Sequence, residues 1–169
     1  MLITIGNKSI NPELIFSIED SIVYEEITAP TSNNKTSVTK NELAAVKLVG
    51  IMGDIIELIN IPIIDVVVEL NKGLLISNNT FIQVGGHYIN PKNVFCLEST
   101  TTEIESNIKT SNSKTISKTV IVPVVRIMGQ LGCEIEIQGI AMSDIETAFN
   151  TASEATGSPV ETTVETYSK

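Results

Sequence analysis

The phrase "SINPELIFSIED" occupies residues 9–20, and "YINPKNVFCLES" occupies residues 88–99. Set against each other at a step of 79 residues, Ile3–Glu19 and Ile82–Glu98 match Gly6 with Gly85, Ile10-Asn11-Pro12 with Ile89-Asn90-Pro91, Phe16 with Phe95 and Glu19 with Glu98. The apolar pattern travels with the identities, since Ile3, Ile5, Ile15 and Ile18 meet Ile82, Val84, Val94 and Leu97. A second pair, "VGIMGD" at 49–54 and "VRIMGQ" at 125–130, agrees at a step of 76. A third returns to 79, with Ile61, Asp65, Val66 and Asn71 against Ile140, Asp144, Ile145 and Asn150. Blocks repeated in one order point to a duplicated module, with loops around the middle block that differ by three residues, a change surface connections tolerate.

Each module can be read from its pattern. "LITIG" and "FIQVG" alternate into a glycine turn, and the run after it makes a second strand. Asn-Pro bends that strand, because the residue before a proline is driven away from helical backbone. Polar stretches at 28–42 and 99–119 read as hairpin tips or loops. "AVKLVGIM" and "VIVPVVRIM" then form a third strand, Gly53 or Gly129 a turn, and "IIELI" or "CEIEIQG" a fourth. "SDIETAFNTASEA" places Ile145, Ala148, Phe149 and Ala152 on one helical face, with Ser143 as N-cap and Glu146 completing a capping box. "PIIDVVVELNKG" has the β-branched content of a strand, but Pro62 at its start, Gly73 at its end and its match to the second helix argue for helix.

The expected fold is therefore α+β, mainly β: a tandem repeat of two β-β-β-β-α modules with antiparallel sheets. The modules span 1–77 and 78–155, and a flexible polar tail follows at 156–169. The two helices are expected on one side of a continuous sheet assembly, burying Val66, Leu70, Ile145 and Phe149.

Composition bounds what such a chain does. Ile, Val and Leu dominate a hydrophobic content of 42%, which suits pleated sheets. The longest apolar stretch is interrupted by Glu57, Pro62, Asp65 and Glu69, so no bilayer span is expected. Without a secretory-type start, the expected location is the cytoplasm. Eleven basic against twenty acidic side chains give a net charge of −9, which works against unfocused binding to nucleic acid or anionic membrane. Any site for a polyanion has to be local.

A search for chemistry returns little. His87 is the single histidine and reads as an exposed turn residue, while Cys96 and Cys133 lie in apolar stretches and read as reduced, buried thiols. Cys133 falls where the 76-residue step puts Glu57. There is no C-x-x-C, H-x-x-x-H or D-x-D-x-D-G spacing, so no metal is expected. Glu134 and Glu136 share one strand face, read more simply as a solvated face than as a carboxylate pair. No catalytic residue and no cofactor is assigned, and the chain is read as non-enzymatic.

The glycine turn followed by Ile-Asn-Pro, an aliphatic and a Glu resembles the small FlbD-type proteins, named for a flagellar operon and found widely in bacteriophages. Ile3–Glu19 and Ile82–Glu98 carry that resemblance, which implies no catalytic residue. The element order also resembles the Whirly and transcriptional-coactivator class of single-stranded nucleic-acid binders at the level of fold. The abundance of Asn, Ile, Ser, Thr and Lys resembles the coding of an AT-rich genome and is compatible with a phage origin.

Uneven charge supplies the one candidate site. Residues 31–40 and 106–119 contain Lys35, Lys40, Lys109, Lys114 and Lys118 and no acid, and Lys47 and Arg126 lie on the adjoining strands. On one reading these side chains hold the phosphates of single-stranded DNA or RNA, or contact the transcription or replication machinery. On the other, Ser, Thr, Asn and Lys keep long hairpins soluble, and the chain is a virion structural or assembly protein that uses sheet edges to meet copies of itself or another viral or host protein. The host cytoplasm is the expected place under the first reading, the virion under the second.

Overall fold

The computed structural model describes residues 1–30, 36–75, 79–109 and 115–156. In the first half, strands β1 (Ile3–Ile5) and β2 (Lys8–Ile10) form a tight hairpin, and a single 3-10 turn (Pro12–Leu14) leads into long strands β3 (Ile15–Pro30) and β4 (Thr36–Gly50). Strand β5 (Ile55–Ile59) and helix α1 (Ile63–Leu74) complete that half. The second half runs β6 (Ile82–Val84), β7 (His87–Ile89), a 3-10 turn (Pro91–Asn93), β8 (Val94–Lys109), β9 (Thr115–Gly129), β10 (Glu134–Gln138) and helix α2 (Met142–Thr156). The fold is thus mainly β, with antiparallel strands and two helices.

Each half has five strands where four were expected. The difference lies at Asn-Pro, which does more than bend one strand. Asn11 Oδ1 accepts the Glu13 N–H at 3.2 Å, and Asn90 Oδ1 accepts the Lys92 N–H at 3.2 Å, so each Asn caps a 3-10 turn whose first position is proline. Such a turn separates β2 from β3 and β7 from β8. The short hairpins close through Gly6 (φ +60°) and Gly85 (φ +59°), a left-handed backbone that glycine adopts without cost.

Strand registers also correct the alignment of the middle block. Ile15 pairs with Gly50 and Val94 with Gly129; Pro30 pairs with Thr36 and Lys109 with Thr115. The step is 79 there too, so the flanking loops do not differ by three residues. By register Arg126 lies opposite Glu98 as Lys47 lies opposite Glu19, and Cys133 occupies the place of Asp54, not Glu57. The recurring Ile-Met-Gly triplet had suggested the shorter step. Helix α2 starts at Met142, so Ser143 sits inside its first turn and is not its N-cap.

Pairing divides the strands into a five-stranded sheet ordered β5-β4-β3-β7-β6, a three-stranded sheet ordered β10-β9-β8, and the β1-β2 hairpin. Among the described residues the expected single continuous sheet is not formed, because β8 pairs with β9 only. Two cores result. Ile5, Ile18, Leu48, Val66, Leu70 and Phe81 belong to one, while Phe16, Val84, Ile127, Ile137, Ile145 and Phe149 belong to the other. Val66, Leu70, Ile145 and Phe149 are buried as expected, but under separate cores. The expected tail at 156–169 lies outside the described residues apart from Thr156.

Candidate assembly interface and basic residues

Phe16 and Phe81 each sit in the core of the opposite half. The geometry begins with a β-bulge: the register of β3 on β4 jumps between Ile15 and Ser17, leaving Phe16 as the extra residue. A bulge re-aims its side chain, and here the ring leaves its own sheet for the second core, where it is fully buried. Gly129 makes room, since a Cβ there would overlap Cys133 Sγ and lie 3.1 Å from the Phe16 ring.

Backbone pairing extends the contact. Ser17, Ile18 and Glu19 of β3 pair with Ile89, Tyr88 and His87 of β7, and the Asn90 N–H donates to the Phe16 carbonyl at 2.9 Å. Asn93 donates through Nδ2 to the carbonyls of Glu13 (3.0 Å) and Ile15 (2.9 Å). Beyond the end of α1, the Phe81 N–H donates to Asn71 Oδ1 at 2.8 Å. The buried amides of Asn79 and Asn90 are joined at 2.6 Å. His87 Nδ1 lies 3.2 Å from Glu19 Oε2. His87 is therefore a half-buried strand residue at the junction of the halves, not an exposed turn residue. No sequence pattern marked it, because its partner is defined only by the pairing of β3 with β7.

The corresponding stretch of the second half is uncovered. Phe95 occupies the same bulge position in β8, between Val94 and Cys96, yet it is 77% exposed. Cys96 is only half-buried, against the expectation of a buried thiol, whereas Ser17 at the equivalent place is buried. Cys133 is buried, and burial raises its thiol pKa from the ordinary 9.0.

The candidate phosphate ligands fall into two groups. Lys47 Nζ is 2.6 Å from Glu19 Oε1. Arg126 reaches Glu134 at 2.6 Å, Glu136 at 2.9 Å and Glu98 at 3.0 Å, and hydrogen bonding to Glu136 and the charge of Glu134 raise its pKa further. Glu134 and Glu136 are thus partners of one guanidinium. Lys40 lies farther out on β4, 3.4 Å from Glu26. Lys109 ends β8 and pairs with Thr115, and Lys118 of β9 pairs with Ser106. Lys35 and Lys114 lie outside the described residues. Among the described residues no group of three His, Cys, Asp or Glu is placed to hold a metal, and no helix is long and apolar enough to cross a membrane.

No family model, curated protein or solved structure matches the chain.

Proposed function

We propose that the chain is a non-catalytic structural or assembly protein, a tandem duplication of one module, whose hairpins and sheet edges pack against further copies of itself. The observation that carries this reading is the pair of arms formed by β3–β4 and β8–β9. Strand β5 supports β4 only over Ala45–Val49, and β7 supports β3 only over Ser17–Glu19. Beyond them the first arm continues as a two-stranded ribbon to Pro30 and Thr36, about 30 Å at the usual rise per residue. Ile22, Tyr24, Ile27 and Val38 are exposed on it, as are Ile104, Val120 and Ile121 on the second arm. A bare two-stranded ribbon is marginal in water, and apolar side chains along an unprotected edge favour strand pairing with another chain. The common step of 79 residues between Ile3–Ile5 and Ile82–Val84, and between Gly50 and Gly129, supports duplication. Sedimentation of the purified chain across micromolar to millimolar concentration tests the reading: concentration-dependent oligomers are expected, and a monomer throughout that range would overturn it.

Binding of single-stranded nucleic acid is the second reading, favoured by the placement of Lys40 on β4 within the acid-free stretch 31–40. Lys47 and Arg126 support it less, since glutamate holds each at 2.6 Å, against 3.4 Å for the more exposed pair of Lys40 with Glu26. A mobility shift that weakens steeply with salt is its expected signature. The FlbD-type resemblance and the phage origin it suggests rest on Ile10-Asn11-Pro12 and Ile89-Asn90-Pro91. Under the assembly reading a virion is the setting they suggest.

A further inference from the structure

Resting on the assembly reading, we propose that copies join head to tail: β8 of one copy, at Cys96–Glu98, pairs with β2 of the next, with Phe95 seated over Gly50 of that copy. The junction inside the chain supplies the template. Moving its two sides by the 79-residue step, in opposite senses, converts Ser17–Glu19 into Cys96–Glu98 and Ile89–His87 into Ile10–Lys8. Both edges are open. Strand β8 ends its sheet, and β2 has β1 as its one strand partner among the described residues.

Exposure follows the same logic at most positions of the contact, Ile10 and Ile89 being buried alike. Phe16 is buried and Phe95 is 77% exposed; Phe81 is buried and Leu2, at the equivalent place, is 65% exposed. Ser9 and Lys8 are exposed where Tyr88 and His87 are half-buried. Asn71 accepts a backbone N–H from the start of the second half, while Asn150, its equivalent on α2, is exposed. One half is finished by the other, and among the described residues one face of each kind is left unfinished.

Chemistry at the unfinished faces is complementary. Glu19 meets His87 inside the chain, and the same geometry sets Glu98 against Lys8 of a neighbour. Asn150 is placed to accept the backbone N–H of the neighbour's Leu2. A Cβ on Gly50 meets nothing closer than 3.5 Å within its own chain, so the surface meant for Phe95 is clear. One element is missing: Leu14 stands where Asn93 makes its two bonds, so the contact between copies is weaker than the internal one and reversible. Such a contact is heterologous and builds a ring or a filament, according to whether its rotation closes.

Cross-linking tests the register directly. In a Cys96→Ser background, which restores the residue found at Ser17, a Lys8→Cys chain is mixed with a Glu98→Cys chain under mild oxidation. A covalent heterodimer is expected in the mixture and in neither chain alone, since directly opposed residues of an antiparallel pair lie within disulfide reach. Phe95→Asp in the Glu98→Cys chain should abolish the cross-link, and in the otherwise native chain should weaken self-association more than about tenfold. Circular dichroism checks that Phe95→Asp stays folded, as its exposure leads one to expect, and Gly50→Val on the receiving face is the second variant with the same expected loss. Oligomers that form without the cross-link and ignore both substitutions would overturn head-to-tail joining while leaving the assembly reading intact. A strictly monomeric native chain would remove both.

Discussion

Phe16 and Phe95 are the same residue at the same bulge, and their surroundings are opposite. Burial in a core across the junction makes Phe16→Ala cost about 3–5 kcal/mol, as expected for a large ring removed from a packed site. Phe95→Ala should leave the unfolding midpoint of the dilute chain unchanged, and denaturant titration of both variants checks the contrast. Cys133 offers a second residue-scale outcome. Its pKa is raised in the folded chain by burial, so the stability contributed by the neutral thiol is fully present below the ordinary value of 9.0 and is lost as pH rises through the folded value. Replacing Cys133 by Ala should flatten that alkaline loss in melting curves taken between pH 7 and 11, relative to the native chain. The phenylalanine pair was legible as a repeat in the sequence, but its divided fate was not. A repeat says that two residues do the same thing locally, and which of them finds a partner depends on what lies at each end of the chain.

Among the elements, the helices and the short strands β1, β5, β6 and β10 were legible because their patterns are local, whereas β2 and β7 were read as one with the strands that follow them. Ile145 and Phe149 recur at helical spacing, and the match of "PIIDVVVELNKG" to them outweighed its β-branched residues. Less visible was the length of the arms. Thr36–Lys40 and Glu103–Lys109 are mostly polar, which from sequence reads as hairpin tip or loop, yet they continue the ladder because each strand has a partner in register. The arms nonetheless add little to the cores, since their apolar side chains are exposed. Replacing residues 23–43 by Asn-Gly, so that Ile22 and Ala44 close a two-residue hairpin, should therefore leave the melting temperature within a few degrees of native while reducing, without abolishing, oligomers at high concentration. Phe149→Ala on α2 should instead destabilise by about 3–5 kcal/mol, and melting of the two variants side by side separates arm from core. The basic residues illustrate a different blindness. Lys47 and Arg126 stand out in an acidic chain, but their glutamate partners come from neighbouring strands, 28 residues away in each case for Glu19 and Glu98. Only the register brings them together.

At the scale of the molecule, two cores are held as one by a narrow set of contacts: three paired residues between β3 and β7, the crossed burial of Phe16 and Phe81, and the bonds of Asn93 and Asn71. Each core has its own helix, so each can persist when the junction is weakened, and the coupling between them is what makes the chain unfold together. Asn93 is the place to test this, because its side chain belongs to neither core and satisfies two carbonyls of the other half. Asn93→Ala leaves those carbonyls without their side-chain donor at a cost of about 1–3 kcal/mol, which falls on the coupling and not on either core. Combined with Phe16→Ala, which empties the other main contact, the two changes act on one interface and should not be additive. Calorimetry of the native chain is expected to show one transition, and the double variant to show two, the lower belonging to the second half, whose core loses the Phe16 ring. If the double variant unfolds in a single transition at lower temperature, the cores are not separable units. The junction would then be part of one continuous core, and the edges left open at Phe95 and Lys8 could not be understood as the unfinished ends of two joined modules.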